Sequence, residues 1–169
     1  MSALPIPTIL DVEASGFGPG GYPIEVGYVL ADGSTHCTLI RPAPGWTHWD
    51  PAAESIHGIS HDVLVARGRD VGDVARDLNE ELRGQVVYSD GWANDYAWLA
   101  RLFAEARLLQ RFKVESLRRL LSDAEAAQWH ASKDAVAAET LTNRHRASTD
   151  AQLLQRALLR VKGMQPRSQ

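Results

Sequence analysis

Residues 7–41 read PTILDVEASGFGPGGYPIEVGYVLADGSTHCTLIR. This stretch decides the fold, because it divides into three β-strands and two turns. Residues 7–13 form the first strand. Residues 15–23 carry glycine and proline at a density that no regular element contains. Residues 24–31 and 35–41 are two further strands, joined by Asp32-Gly33. An Asp-Gly pair between β-rich runs signals a tight hairpin, with positive φ expected at both residues. Within the first strand, residues two apart share a face, so Asp11 and Glu13 project together while Leu10 and Val12 point the other way. Two carboxylates on one face of a core strand repel unless a cation lies between them. Such oxygen-rich pairs suit Mg²⁺ or Mn²⁺. The plainer alternative is a strand end emerging into solvent.

Outward from this stretch, residues 42–52 (PAPGWTHWDPA) read as a loop that three prolines keep out of regular structure. Residues 71–82 repeat apolar side chains at helical spacing, with Val71, Val74, Ala75, Leu78 and Leu82 on one face. Gly84 ends that helix. Residues 85–89 form a short strand. Helical segments follow at about 95–106, 115–121, 124–141 and 149–161, and the polar tail 163–169 is expected to fray. This order predicts an α/β fold with a mixed sheet. The hairpin supplies the antiparallel part and a helical crossover supplies the parallel strand. One domain is expected over residues 1–169, with its core at about 7–161 and a disordered tail at 162–169.

The bulk numbers agree with a single soluble domain. The chain has 169 residues, 44% hydrophobic and 23% charged. Cys37 is the one cysteine, which excludes an internal disulfide and fits a reducing, cytoplasmic location. The first residues lack the pattern of a secretory signal, and no uncharged apolar run approaches the length of a membrane span. The net charge of −3 hides an asymmetry. Residues 1–100 hold 5 basic and 14 acidic side chains, whereas residues 101–169 hold 13 basic and 7 acidic. An acidic half beside a basic half suits a site that holds cations and attracts phosphates, although uneven surface charge also accounts for it.

Two further fragments carry chemistry. Asp95 opens a helix within Asp90-Gly-Trp-Ala-Asn-Asp-Tyr-Ala-Trp-Leu99, where an acid also complements the helix dipole. In Asn143-Arg-His145-Arg-Ala-Ser-Thr-Asp150, His145 and Asp150 are five positions apart, which would splay them on a continuous helix. They converge if His145 lies in a loop and Asp150 in the opening turn. Thr149-x-x-Gln152 has the form of a capping box and places a helix start there.

Taken together, these fragments resemble the DEDDh group of 3′–5′ exonucleases, the superfamily of proofreading exonucleases, ribonuclease T and oligoribonuclease. The pattern is D-x-E on the first strand, an aspartate opening a helix after a mid-chain strand, and H-x-x-x-x-D near the end. Here these are Asp11 and Glu13, Asp95, then His145 and Asp150. Ile24-Glu-Val-Gly27 looks like the family's "I-E-I-G", Ser55-Ile-His-Gly-Ile-Ser60 like its "V-H-G-I-T" turn, and Asp95-x-x-Trp98-Leu99 like its "D-x-x-F-L". Two positions depart: Asp90-Gly91 stands where His-Asn is frequent, and Glu115-Ser-Leu117 where Asp-Thr-Leu is usual.

The resemblance implies a ribonuclease H-like, mixed five-stranded sheet flanked by helices. It also implies four acids around two divalent cations, Mg²⁺ or Mn²⁺, which clamp an in-line displacement at phosphorus. His145 would be the general base, a role suited to an imidazole with a pKa of about 6.5. The product would be a nucleoside 5′-monophosphate from a single-stranded DNA or RNA 3′ end. Ala14, Ser15, Gly16 and Phe17 would grip the terminal nucleotide, and His57 would touch it. Trp92 is a candidate for the substrate path, and Arg144 and Arg146 for holding phosphates. A freestanding enzyme is expected, and a homodimer is compatible because ribonuclease T and oligoribonuclease are homodimers. Two other readings stay open: an inactive nucleic-acid-binding or interaction module on the same fold, and a diesterase restricted to very short oligonucleotides.

Overall fold

The computed structural model describes residues 5–140 and 146–164. Its strands are β1 (Ile9–Ala14), β2 (Pro23–Val29), β3 (Thr35–Leu39), β4 (Val86–Ser89) and β5 (Lys113–Ser116). They form one five-stranded sheet in the order β3-β2-β1-β4-β5. The β1/β2 and β2/β3 pairs are antiparallel, and the β1/β4 and β4/β5 pairs are parallel. The helices are α1 (Pro51–His57), α2 (His61–Arg67), α3 (Val71–Glu81), α4 (Trp92–Ala106), α5 (Asp123–Glu139) and α6 (Ala147–Val161). The mixed α/β sheet expected from the sequence is therefore present, in a single α/β domain.

Alternation along β1 divides the core. Leu10 and Val12 join an apolar cluster with Leu78 of α3 and Leu99, Leu102 and Phe103 of α4. Ile9 joins a second cluster with Leu117, Trp129 of α5, and Leu154 and Leu158 of α6. Asp11 and Glu13 share the face of Ile9, where α6 packs. Among the described residues no helix is long and apolar enough to cross a membrane.

Four local expectations fail, each for a physical reason. Residues 113–116 are a strand, where the sequence pattern predicts a helix over 115–121. The Lys113 N–H bonds to the Gln85 carbonyl at 3.0 Å and the segment zips onto β4, leaving one 3₁₀ turn at Leu117–Leu120. The loop predicted over 42–52 ends two residues early, since Pro51 is the first residue of α1, a position where its missing N–H costs nothing. Asp50 caps that helix by accepting from the Ala52 N–H at 2.9 Å. The Asp32-Gly33 turn has positive φ at Gly33 alone, because the Asp32 carboxylate accepts from the Ser34 N–H and holds Asp32 in an ordinary conformation. Finally, α6 begins at Ala147, so Thr149 lies inside the helix and forms no capping box. The tail beyond Met164 lies outside the described residues.

Candidate active site

The site begins with the cross-strand neighbours of Asp11 and Glu13. Gly27 pairs with Asp11 and Glu25 pairs with Glu13 across the β1/β2 ladder. A Cβ on Gly27 would lie 2.1 Å from the Ser148 nitrogen, so glycine is what lets the first turn of α6 rest directly on the sheet. Glu25 is fully buried and accepts from the Ala147 N–H at 2.8 Å, capping α6 from another strand. It also takes the Arg146 guanidinium, Nε at 2.8 Å and Nη2 at 2.6 Å. Seated this way, α6 turns Asp150 of its first turn toward β1. Carboxylate oxygens of Asp11, Glu13 and Asp150 all lie within 4.8 Å of one another.

The fourth acid arrives from the other side of β1. Asp95, 2% exposed, sits in the first turn of α4, where the Ser89 hydroxyl donates to its carboxylate. The Val12 N–H donates to it as well. Asp90, one of the two departures from the resemblance, accepts from Trp129 Nε1 at 2.9 Å and Lys133 Nζ at 2.7 Å. It thereby ties α5 to the end of β4. Glu115, the other departure, pairs with Arg119 at 2.9 Å.

The electrostatics of these acids are unfavourable without a cation. Burial, reinforced by Asp95, Glu13, Asp150 and Asp90, holds the Asp11 carboxyl well above its ordinary range. Burial and then the charges of Asp150, Glu25 and Asp95 push Glu13 up to about 8, against a smaller opposing pull from Arg146. Burial raises Asp95 to about 7. All three prefer a proton, or another positive charge, to standing ionised together.

These acids line one wall of a cleft of about 430 Å³. The rest of its lining is largely apolar. Phe17, 68% exposed, tilts against Trp98 at 5.8 Å between ring centroids, and Ile56 and Ala53 of α1 continue the surface. Gly16 carries the chain around the rim at φ 149°, where a Cβ would strike Asp50 and His48 at 2.6 and 2.7 Å. His57 also borders the cleft. Its Nδ1 accepts from the Ile59 N–H at 3.0 Å, while its buried Nε2 has only a weak interaction with the Ala14 backbone. Burial lowers its pKa, which favours the neutral ring. No lysine or arginine lines the cleft among the described residues.

The structure therefore brings together Asp11, Glu13, Asp95, Asp150, Ala14, Gly16, Phe17 and His57. It does not bring in three other candidates. The Ser15 side chain is buried beneath the rim, accepting from the Tyr22 N–H and bonding to His48 Nδ1 at 3.1 Å. The Arg146 guanidinium is bound to Glu25 and does not line the cleft. Trp92 borders a separate hollow and donates its indole N–H to the Val114 carbonyl at 2.9 Å. His145 and Arg144 lie outside the described residues. Trp98, Ile56 and Asn94 line the cleft without having been singled out as contacts. Trp98 had a signal in its place within Asp95-x-x-Trp98-Leu99, whereas Ile56 could be found only once α1 was known.

The donor set fits divalent cations: three hard oxygen ligands converge from a strand and a helix, and a fourth faces them. No protein-family model and no curated protein matches the chain. Solved structures do match its fold. Exonuclease I from Methylocaldum szegediense superposes with a TM-score of 0.70 at 14% identity, over 90% of this chain and 40% of that one. The zinc-bound complex of E. coli exonuclease I with single-stranded DNA gives 0.70 at 14% identity, over 92% and 41%. A full-length 3′-exonuclease gives 0.71 at 20% identity, over 92% and 80%. The chain thus spans about 40% of the exonuclease I structures, and its fold is the one they share.

Proposed function

We propose that this chain is a metal-dependent 3′–5′ exonuclease of the DEDDh type, releasing nucleoside 5′-monophosphates from single-stranded DNA or RNA. The observation that carries the reading is the convergence of Asp11, Glu13 and Asp150 within 4.8 Å, with Asp95 on the same cleft. Four acids from three elements, with no cation lining the cleft among the described residues, make poor structural sense and good sense as ligands. The complex of E. coli exonuclease I with single-stranded DNA on the same fold supports the substrate class.

The four carboxylates would hold two divalent cations, Mg²⁺ or Mn²⁺. When bound, these supply charge to the phosphate and lower the pKa of the attacking water. His145 immediately precedes Arg146, which Glu25 anchors at the mouth of α6. By the resemblance, His145 would take the proton from the water. Beside the acids, Phe17 and Trp98 would stack on the terminal base, and Ile56 would pack against it without reading its edge. Neutral His57 would donate from Nε2 to a sugar or phosphate oxygen. The apolar wall offers little to distinguish one base from another, so sequence-independent trimming is expected.

The test is a time course on 3′- and 5′-labelled single-stranded DNA and RNA of several lengths, with Mg²⁺, with Mn²⁺ and with chelator. Metal-dependent shortening by one nucleotide from the 3′ end is the expected result. Folded protein that degrades no substrate with either metal would replace the reading by that of an inactive binding module.

A further inference from the structure

The cleft leaves a polyanion problem. Its wall presents acids and no cation among the described residues, so attraction for a long strand must come from elsewhere on the surface. The basic half of the sequence is where to look, and most of its cations are spent. Arg118, Arg119, Lys133, Arg146, Arg160 and Lys162 are all in ion pairs. Arg101 donates to the carbonyls of Gly20 and Gly21 at 2.9 Å.

Four exposed cations are unspent and lie close together in the fold. Arg107 caps α4, and Arg111 and Lys113 lead into β5. Arg83 joins them, because the next residue, Gly84, donates its N–H to the Arg111 carbonyl at 2.8 Å. None of the four side chains makes a hydrogen bond or an ion pair among the described residues. Lys113 lines a groove of about 620 Å³ between α4 and β5, and the other three follow it outward along the chain and through the Gly84–Arg111 bond. Trp92 and Tyr96, 39% and 51% exposed, line the same groove, with ring centroids 5.6 Å apart. The helix runs antiparallel to the strand, with Trp92 bonded to Val114 and Phe103 packed on Phe112. The aromatic end is thus the end beside the cleft, since Gly91 lines the cleft and Trp92 the groove. Among the described residues one acid lines the groove, Glu115, and Arg119 neutralises it. Glu80 and Glu81 face a different hollow, beside Tyr28 and His36.

We infer that the groove between α4 and β5 is a second binding surface for single-stranded nucleic acid. The strand would cross the first turn of α4, stack bases on Trp92 and Tyr96, and set its phosphates on Lys113, Arg111, Arg107 and Arg83. This inference rests on the exonuclease reading, because it assigns the groove to the chain 5′ of the nucleotide in the cleft. An α4 of 15 residues is roughly 22 Å long, enough for several nucleotides. Exposed aromatics followed by unpaired cations are what a sequence-tolerant single-strand track requires. A second copy of this chain meeting the same patch across a twofold axis would bring the four cations against their own counterparts.

The experiment measures binding without hydrolysis. Fluorescein-labelled dT3, dT15 and the matching oligouridines are titrated with the whole chain in chelator at several salt concentrations, with light scattering in parallel. The wild type should bind the 15-mers at least about tenfold more tightly than the trimers. Tyr96→Ala should remove most of that gain, and its exposed side chain leaves the core intact. Arg111→Glu with Lys113→Glu should also lower the salt slope by about 1.4, some 0.7 for each phosphate no longer neutralised. Arg67→Glu, the same charge reversal on α2, should keep the gain. A wild type that gains nothing from length overturns the inference. So does a gain that survives both groove variants, or a Tyr96→Ala change in oligomeric state with the gain unaltered. Shortening from the 3′ end with Mn²⁺ is scored separately, so loss of the exonuclease reading and loss of the groove give different results.

Discussion

On one face of β1, Leu10 and Val12 are buried among side chains of α3 and α4. On the other, one residue along in each case, Asp11 and Glu13 sit under the first turn of α6 with their carboxylates crowded against Asp150. The first face is a packing solution in which burying each apolar side chain stabilises by roughly 1.5–3 kcal/mol. The second costs stability, because burial and like charge push three carboxyls toward their protonated forms. It persists because α6 is held down independently of the acids. Glu25 caps it and grips Arg146, and Gly27 leaves room for its backbone. One strand thus carries stability on one side and chemistry on the other, and the two should be separable by mutation.

The largest separation is expected at Asp11. Asp11→Ala should lower turnover on the order of a thousandfold, about 4 kcal/mol of barrier, and weaken Mn²⁺ binding with it. Without metal the same variant should melt no lower than the wild type, because a repelling charge has gone. His145→Ala should lower turnover comparably while leaving Mn²⁺ affinity nearly intact. Single-turnover assays and isothermal titration with Mn²⁺ check both, and equal metal affinity in the two variants would contradict the assigned roles. The next effect belongs to the neighbouring residue with the sign reversed. Leu10→Ala, at a fully buried position, should cost about 2–5 kcal/mol in urea unfolding. Metal affinity of the folded fraction should be unchanged. A Leu10→Ala variant that lost metal before it lost stability would show that the two faces are not independent.

Much of this division could be read from the sequence because alternation in a strand is local. Two acids spaced by one residue share a face whatever the rest of the chain does. Asp95 was legible for the same reason, as an acid in the first turn of a helix. What could not be read was where partners come from. Arg146 looked like a phosphate ligand because it stands beside His145, yet its partner Glu25 lies 121 residues upstream. Ile24-Glu-Val-Gly27 could be matched to a family pattern, but its physical reason appears only when α6 is laid on β2. Trp92 and Ser15 stand close in sequence to the acids, and that closeness alone points them at the acidic cleft. Tertiary hydrogen bonds to Val114, Tyr22 and His48 place both elsewhere. The strand at Lys113–Ser116 escapes a sequence reading because four residues give no periodicity, and its pairing with β4 is decided by contacts the local sequence does not contain.

The smallest predicted effect concerns pH, and it isolates the cost of the acidic face. Glu13 has an ordinary value of 4.5 and is pushed to about 8 in the fold; Asp95 goes from 3.8 to about 7. Between each pair of values the unfolded chain has already released the proton that the folded chain keeps. The unfolded state therefore binds fewer protons, and stability falls as pH rises. The stabilisation is fully present below about pH 4, declines from there to about pH 8, and changes little more from these groups above that. A saturating divalent cation replaces the protons, so the decline should flatten when Mn²⁺ is present. Urea unfolding at a series of pH values, with chelator and with Mn²⁺, measures both slopes. Asp11→Ala should reduce the metal-free slope, since Asp11 is itself held well above its ordinary range in the fold, whereas Leu10→Ala should shift the whole curve down and leave its slope alone. If the two variants moved the curve in the same way, the charge on the α6 side of β1 would not be what sets it.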